Sequence, residues 1–210
     1  DMDASLRTVL HRCTEHLHVQ RVGLWRFSGG YDRLYCQLQC DSQTGTHEPT
    51  LELFAKDHQP YFHAMLNARV LAMHDALIAP EIASFKASYI EPQGITSMLD
   101  ATLRQAGKTI GTLCIEHIGP ARSWSAAEQN YAISIADLLS QLLAVHALYR
   151  TEERYRKVFD STIDAIFVMQ NNRMVECNQS ALTLYDCSFE EFARHPPKHF
   201  WAEYQPDGAL

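Results

Sequence analysis

Basic residues are outnumbered in this chain: 18 Lys and Arg stand against 25 Asp and Glu, a net charge of -7 with His neutral. A nucleic-acid surface needs a clustered cationic excess, so that class is excluded. No stretch approaches the ~20 apolar residues of a membrane span, and no basic region followed by an apolar run stands at the start. The expectation is a cytoplasmic chain without a membrane span. Cysteine is sparse and scattered, at Cys13, Cys36, Cys40, Cys114, Cys177 and Cys187, with no CxxC and no His/Cys set at zinc spacing. Reduced, structural thiols are expected. His11, His16 and His18 are separated by five and two positions, and His58 and His63 by five, which suits no shared helix face. No metal is therefore expected. There is no Ser-His-Asp order, phosphate loop or HExxH, so no enzymatic role is expected.

What is present is an ordinary globular composition, 46% hydrophobic and 20% charged over 210 residues, enough for one to two domains. Leu6, Val9, Leu10, Cys13 and Leu17 have helical spacing. Val22–Phe27 and Leu34–Leu38 read as strands around a Ser28-Gly29-Gly30 turn, and 41–49 as a polar loop. A helix is predicted from Pro60 to Ala68, a strand over Val70–Met73, and a helix from Pro80 to about Ile90. Residues 97–105 and 108–117 form a hairpin about Ala106-Gly107.

Ser125 with Glu128 three residues on is a capping box opening a long helix without Pro or Gly. Ile135, Leu138, Leu142, Val145 and Tyr149 recur along it at heptad spacing, which predicts a parallel helix pair between two subunits over 125–160. One amphipathic helix packed on its own sheet is the competing reading. Beyond it, Ala165–Met169 and Met174–Cys177 read as strands about Gln170-Asn171-Asn172. Helices follow from Gln179 and Ser188, and a break at Pro196-Pro197. Two strands cannot bury a sheet face by themselves, so this second unit reads as unfinished. The chain opens on Asp1 rather than Met, and is expected to be an excised piece.

Two ordered segments resemble a GAF domain. One is Arg69-Val70-Leu71-Ala72-Met73-His74-Asp75, followed by Pro80, Tyr89 and Gly94-Ile95. The other is Ser97–Leu103 with Gly107–His117, its tail Arg122-Ser123-Trp124-Ser125 and Glu128 leading into the last helix. The resemblance covers about residues 3–147. Tyr155–Ser161, Asp164–Val168, Glu176–Ala181, Phe189-Glu190-Glu191-Phe192 and Gln205-Pro206-Asp207-Gly208 resemble the opening of a PAS domain, whose final strands would lie beyond Leu210. The resemblance implies an α+β fold: an antiparallel central sheet with helices on both faces, a long connecting helix, then an incomplete PAS-like unit. The expected boundaries are 1–147 for the GAF-like domain, 148–160 for a helical linker and 161–210 for the PAS-like part.

By that resemblance the chain is the non-catalytic sensory region of a bacterial signalling protein. Its partners would be a second copy, a small-molecule ligand and an output domain in cis. The output would be a histidine kinase or, slightly favoured by the Gln-Pro-Asp-Gly segment, a cyclic di-GMP domain. The pocket would lie between the sheet and residues 58–94, lined by Trp25, Tyr35, Phe62, Phe85, Tyr89, Met98 and Cys114. Its polar groups would come from His74, Asp75, Asp100, Glu116 and His117, with an apolar wall around them. Asp100 sits in an apolar strand, and a buried carboxylate must find a donor, face a pocket or lie at an edge.

His117 resembles a histidine of phytochrome-like chromophore pockets. Where those domains carry a bilin-attaching Cys-His pair, this chain has Phe85-Lys86, so covalent bilin is not expected. Noncovalent haem or bilin would use His74 or His117. The Asn-Lys-Phe-Asp-Glu constellation of cyclic-nucleotide GAF domains cannot be assembled here. Two alternatives remain. In one, the domain is a pure dimerisation and relay module, the pocket space filled by Trp25, Phe85 and Tyr89. In the other, it is a GAF-type methionine sulfoxide reductase using Cys36, Cys40 and Cys114, the first two facing one side of a regular strand.

Overall fold

The computed structural model describes residues 2–171 and 173–194, apart from the Phe192 side chain. Asn172, Pro196-Pro197 and the Gln205–Gly208 segment lie outside the described residues. Two compact units divide the chain, Asp1–His146 and Ala147–Leu210.

The first unit is an antiparallel sheet with helices on both faces. α1 (Met2–Leu17) precedes β1 (Arg21–Phe27) and β2 (Arg33–Asp41). β3 (Gly45–His47) and β4 (Glu52–Phe54) are short edge pieces paired to β2. α2 (Gln59–Asn67) and β5 (Val70–Met73) lead to a 3-10 turn at Pro80–Phe85 and a π turn at Lys86–Ile90. β6 (Ile95–Gln105) and β7 (Lys108–Ile118) close the sheet in the order β3-β2-β1-β7-β6-β5. α3 (Ala126–Ser161) follows.

The β6–β7 hairpin pairs Gln105 with Lys108 across Ala106 and Gly107, both with positive φ, the two-residue turn that strand twist favours. β7 then pairs with β1 so closely at Gly111 that a Cβ there would stand 2.1 Å from the Trp25 carbonyl oxygen. Strand alternation sorts the side chains. Val22, Leu24, Leu99, Ala101, Leu113 and Ile115 pack beneath α1 and α3. Met98 and Cys114 face a second core formed with α2 and residues 80–90.

Two predicted elements differ. The 41–49 loop contains β3, because Asp41 Oδ1 accepts the Gln43 and Thr44 N–H groups and turns the chain back along β2. The helix predicted over 80–90 is a 3-10 turn joined to a π turn. Ile82 and Phe85 are three apart and Ile90 five further on, so each tightening or widening of the turn keeps a bulky residue inward.

α3 opens on the expected capping box. Ser125 N–H donates to Glu128 Oε2 at 2.8 Å and Glu128 N–H to Ser125 Oγ at 3.3 Å. Contrary to the sequence expectation, α3 is long and apolar enough, by length and composition, to cross a membrane. Ala132, Ala136, Leu139 and Leu143 of α3 are buried against the sheet, while Leu138, Val145, Leu148 and Tyr149 are exposed.

In the second unit β8 (Phe167–Gln170) pairs with β9 (Arg173–Cys177), followed by α4 (Gln179–Tyr185) and α5 (Phe189–Arg194). Asn178 organises it: its buried side chain accepts the Ile166 and Ala181 N–H groups and donates to the Phe159 and Asp164 carbonyls. β8 is exposed along its whole length, as a pairing of the two described strands leaves it.

Candidate functional site

The hairpin register decides which side chains meet. Met98 stands opposite Glu116, and Asp100 opposite Cys114. On the next strand Arg21 is opposite Glu116 and Gly23 opposite Cys114. All of these point to the same face, which α2 and residues 80–90 cover. Between sheet and cover lies a cavity of about 200 Å³. Trp25, Met98, Cys114 and Glu116 form its floor. Tyr61, Phe85, Ser88 and Tyr89 form the roof, and Leu51, Glu52, Leu53 and His58 one side.

Glu116 is buried and fully engaged. Its Oε2 accepts from Arg21 Nε at 2.7 Å and its Oε1 from the Tyr89 hydroxyl at 2.8 Å. Arg21 Nη1 continues to Gln93 Oε1 at 2.7 Å, while Nη2 is buried without a partner among the described residues. A buried ion pair is tolerable only when further hydrogen bonds compensate the desolvation of both ions; Tyr89 supplies one to Glu116 and Gln93 one to Arg21. Asp100 is fully buried. Its Oδ2 accepts from the Tyr61 hydroxyl at 2.9 Å, and among the described residues Oδ1 lacks a partner of ordinary geometry. Burial pushes its carboxyl up to about 7, against the pull of the Cys114 thiol and Tyr61 hydroxyl beside it. Burial likewise raises the Cys114 thiol well above its usual value, with Asp100 and Glu116 adding to the effect. The Cys114 Sγ lies 3.7 Å from Glu116 Oε1.

Of the residues expected at the site, Trp25, Phe85, Tyr89, Met98, Cys114 and Glu116 line the cavity. Asp100 lies behind Tyr61 rather than on the wall. The others stand elsewhere, for identifiable reasons. Tyr35 has the opposite strand phase from Leu34 and Cys36 and lies beside the Arg33 guanidinium. Phe62 packs edge-on against Phe27 at 5.6 Å. His74 Nδ1 accepts the Trp124 N–H, and Asp75 Oδ1 caps the Leu77 N–H, so both are occupied in chain turns. His117 follows the phase of Ile115, away from the cavity. Its Nδ1 is buried without a partner among the described residues, and burial lowers its pKa.

The pairing of Cys36 and Cys40 is corrected. A register shift between Leu24 and Trp25 interrupts the β1–β2 alternation. Cys36 therefore joins the cavity-side core and Cys40 the core beneath α1. Burial pushes the Cys36 thiol up to about 12, the reverse of an activated thiolate.

Sequence reasoning missed Leu51, Glu52, Leu53, His58, Tyr61 and Ser88. Tyr61 was findable, since Tyr61, Phe62 and Met65 are the buried face of α2. No group of three or more His, Cys, Asp or Glu suited to a metal ion occurs among the described residues.

The family model described as GAF domain matches residues 1–143, and that described as PAS domain matches residues 153–207. No curated protein matches the chain. Among solved structures it is similar to GAF3 from Slr1393 of Synechocystis sp. PCC6803 in its photoproduct state. The identity is 18% and the TM-score 0.60, covering 72% of this chain and 99% of that one. It is similar to the blue-light absorbing form of the Thermosynechococcus elongatus PixJ GAF domain at 17% identity and TM-score 0.59, covering 73% and 92%. A third is the far-red absorbing dark state of JSC1_58120g3 with bound biliverdin IXa, at 15% identity and TM-score 0.54, covering 68% and 89%. At such identities the likeness is one of fold.

Proposed function

Because this chain belongs to the GAF domain family and carries a PAS match after it, making it a sensory signalling region, we propose that its GAF unit binds a small molecule in the cavity over Glu116. One observation carries the reading. Trp25, Phe85 and Tyr89, whose bulk would fill the space in a pure relay module, stand around a cavity of about 200 Å³ with a polar network converging on its floor. Apolar walls with a few placed polar groups are the ordinary make-up of a ligand site. The volume is below the roughly 300–1,000 Å³ of drug-sized sites, so the ligand is compact. A covalent bilin is not part of the proposal: Phe85 and Lys86 stand where the resemblance places an attaching cysteine, and Phe85 is a wall of the cavity.

The ligand shifts the unit between two packings by its differential affinity for them. α3 carries the change toward an output domain in cis, as one of a pair of helices in a homodimer. Support for the pair is the stripe of Leu138, Val145 and Tyr149, exposed at heptad spacing, with Ile135 and Leu142 half-buried beside it. The proposed boundaries are 1–147, 148–160 and 161–210. The place is the cytoplasm, where unpaired cysteines persist. The output is a cyclic di-GMP domain, by analogy of the Gln-Pro-Asp-Gly segment. The thiols speak against the reductase alternative, since burial leaves Cys36 and Cys114 protonated.

Native mass spectrometry with an absorption spectrum on the same sample tests this. A dimer carrying added small-molecule mass is expected. A dimer with neither added mass nor any response to a metabolite panel would return the relay reading, and a monomer would remove the helix pair.

A further inference from the structure

The polar groups around the cavity share a direction. The Tyr89 hydroxyl gives its proton to Glu116, and the Tyr61 hydroxyl gives its proton to Asp100. The Cys114 thiol is directed to Glu116, and the Ser88 hydroxyl to the Phe85 carbonyl at 3.4 Å. Each of these donors is engaged by an acceptor of the protein, so what each presents inward is a lone pair. Acidic groups stand around them. Glu116 is on the floor, Asp100 is behind Tyr61, and Glu52 stands at the side, half-exposed and paired with Arg33.

Among the described residues, Lys and Arg side chains are absent from the lining. Arg21 lies behind Glu116 and is not on the wall, and among the described residues neither a lysine nor an arginine lines the cavity. The donors that remain are the Trp25 indole N–H, packed over Gly23, and the imidazole of His58, whose Nδ1 contacts Ser84 Oγ at 2.9 Å. Aromatic rings make up much of the rest: Trp25, Tyr61, Phe85 and Tyr89. Rings attract a cation over their faces, and an ionised ligand carboxylate would confront lone pairs and acidic groups.

We propose that the ligand is a compact organic cation, an amine or ammonium on a single ring or a skeleton of similar size. This rests on the reading of the cavity as the ligand site. The size follows from the volume, because cavities of about 150 Å³ take a benzene ring, and this one has about 200 Å³. An N–H or N-methyl cation would donate to, or pack upon, the Tyr89 and Tyr61 oxygens while its ring lies among the aromatics.

The test is calorimetric titration of the 210-residue chain with three isosteric probes, benzylamine, benzyl alcohol and benzoate, repeated on Ser88→Trp. Ser88 is at the exposed rim, so this variant plugs the cavity without disturbing the buried floor. The expected result is benzylamine binding about tenfold tighter than either other probe, with the binding lost in Ser88→Trp. Benzyl alcohol or benzoate binding as well as or better than benzylamine, and lost in the variant, would overturn the cation while leaving the cavity as the ligand site. No binding by any probe, or binding unchanged in Ser88→Trp, would overturn both.

Discussion

The Tyr89 hydroxyl donates to Glu116 Oε1 at 2.8 Å, linking the π turn over the cavity to the β7 strand beneath it. The same carboxylate holds Arg21 on its other oxygen, so one buried acid joins β1, β7 and the cover. Removing any part of this group frees the cover from the sheet or strands a charge.

For Tyr89→Phe, the ring still fills its place and only the hydrogen bond is lost. A bond to an ionised acceptor is worth about 1.5–3 kcal/mol. Urea unfolding of the variant should show a loss of that size, with amide exchange quickened over residues 86–94. Unchanged exchange there would mean the bond does not hold the cover.

For Gly111→Ala, the new Cβ meets a backbone carbonyl, that of Trp25 at 2.1 Å, and no side chain can move aside for it. β1 and β7 must separate locally. The loss should exceed about 4 kcal/mol, the range of severe backbone and packing defects. A soluble variant with wild-type melting temperature would contradict the pairing of Arg26 with Gly111.

Asp100 makes stability depend on pH. Its carboxyl is raised to about 7 from an ordinary 3.8 by burial. The folded chain therefore keeps a proton that the unfolded chain releases, and stability falls as pH rises from about 4 to about 7, by at most about 4 kcal/mol. Asp100→Asn keeps an acceptor for the Tyr61 hydroxyl and removes the titration. Its stability relative to wild type should improve from pH 4 to pH 7 and then level off. Parallel profiles for the two proteins over that range would rule out the raised carboxyl.

Val145 is 66% exposed on α3. Val145→Glu places a charge in the proposed helix pair without touching the core, so light scattering should show dimer becoming monomer at unchanged secondary structure. A variant as dimeric as wild type would place the subunit contact elsewhere.

Thiol labelling separates structural cysteines from reactive ones. Cys13, Cys36, Cys40 and Cys114 are buried, and burial raises Cys13 to about 11 and Cys36 to about 12. At pH 8 these four should stay unmodified by iodoacetamide until the chain unfolds. Rapid native modification of Cys36 or Cys114 would revive the redox alternative.

Much of the cavity floor was legible because strand alternation is a local property. Once residues 97–117 read as a hairpin, Met98, Asp100, Cys114 and Glu116 had to share a face. The same rule places His117 on the other face, against its expectation both as a polar group of the pocket and as the likeness of a chromophore-pocket histidine. The rule failed for Cys36 and Cys40, where a register shift interrupts it and no composition cue marks the place. Leu51, Glu52, Leu53, His58 and Ser88 were out of reach, since they belong to edge strands and turns whose spacing is irregular.

The sequence by itself determined the order of the main elements, the two-residue hairpin turn, the capping box and the two faces of the β6–β7 hairpin. These depend on φ/ψ preference, hydrogen bonds between near neighbours and periods of two or 3.6 residues. The tertiary structure decided which turns cover the sheet, that Tyr61 and Tyr89 direct their protons into buried carboxylates, and that space remains between them. Those outcomes depend on residues such as Arg21 and Glu116, 95 positions apart, meeting at one place. No short-range pattern encodes that meeting, because it is settled only when the whole sheet is paired and its cover packed.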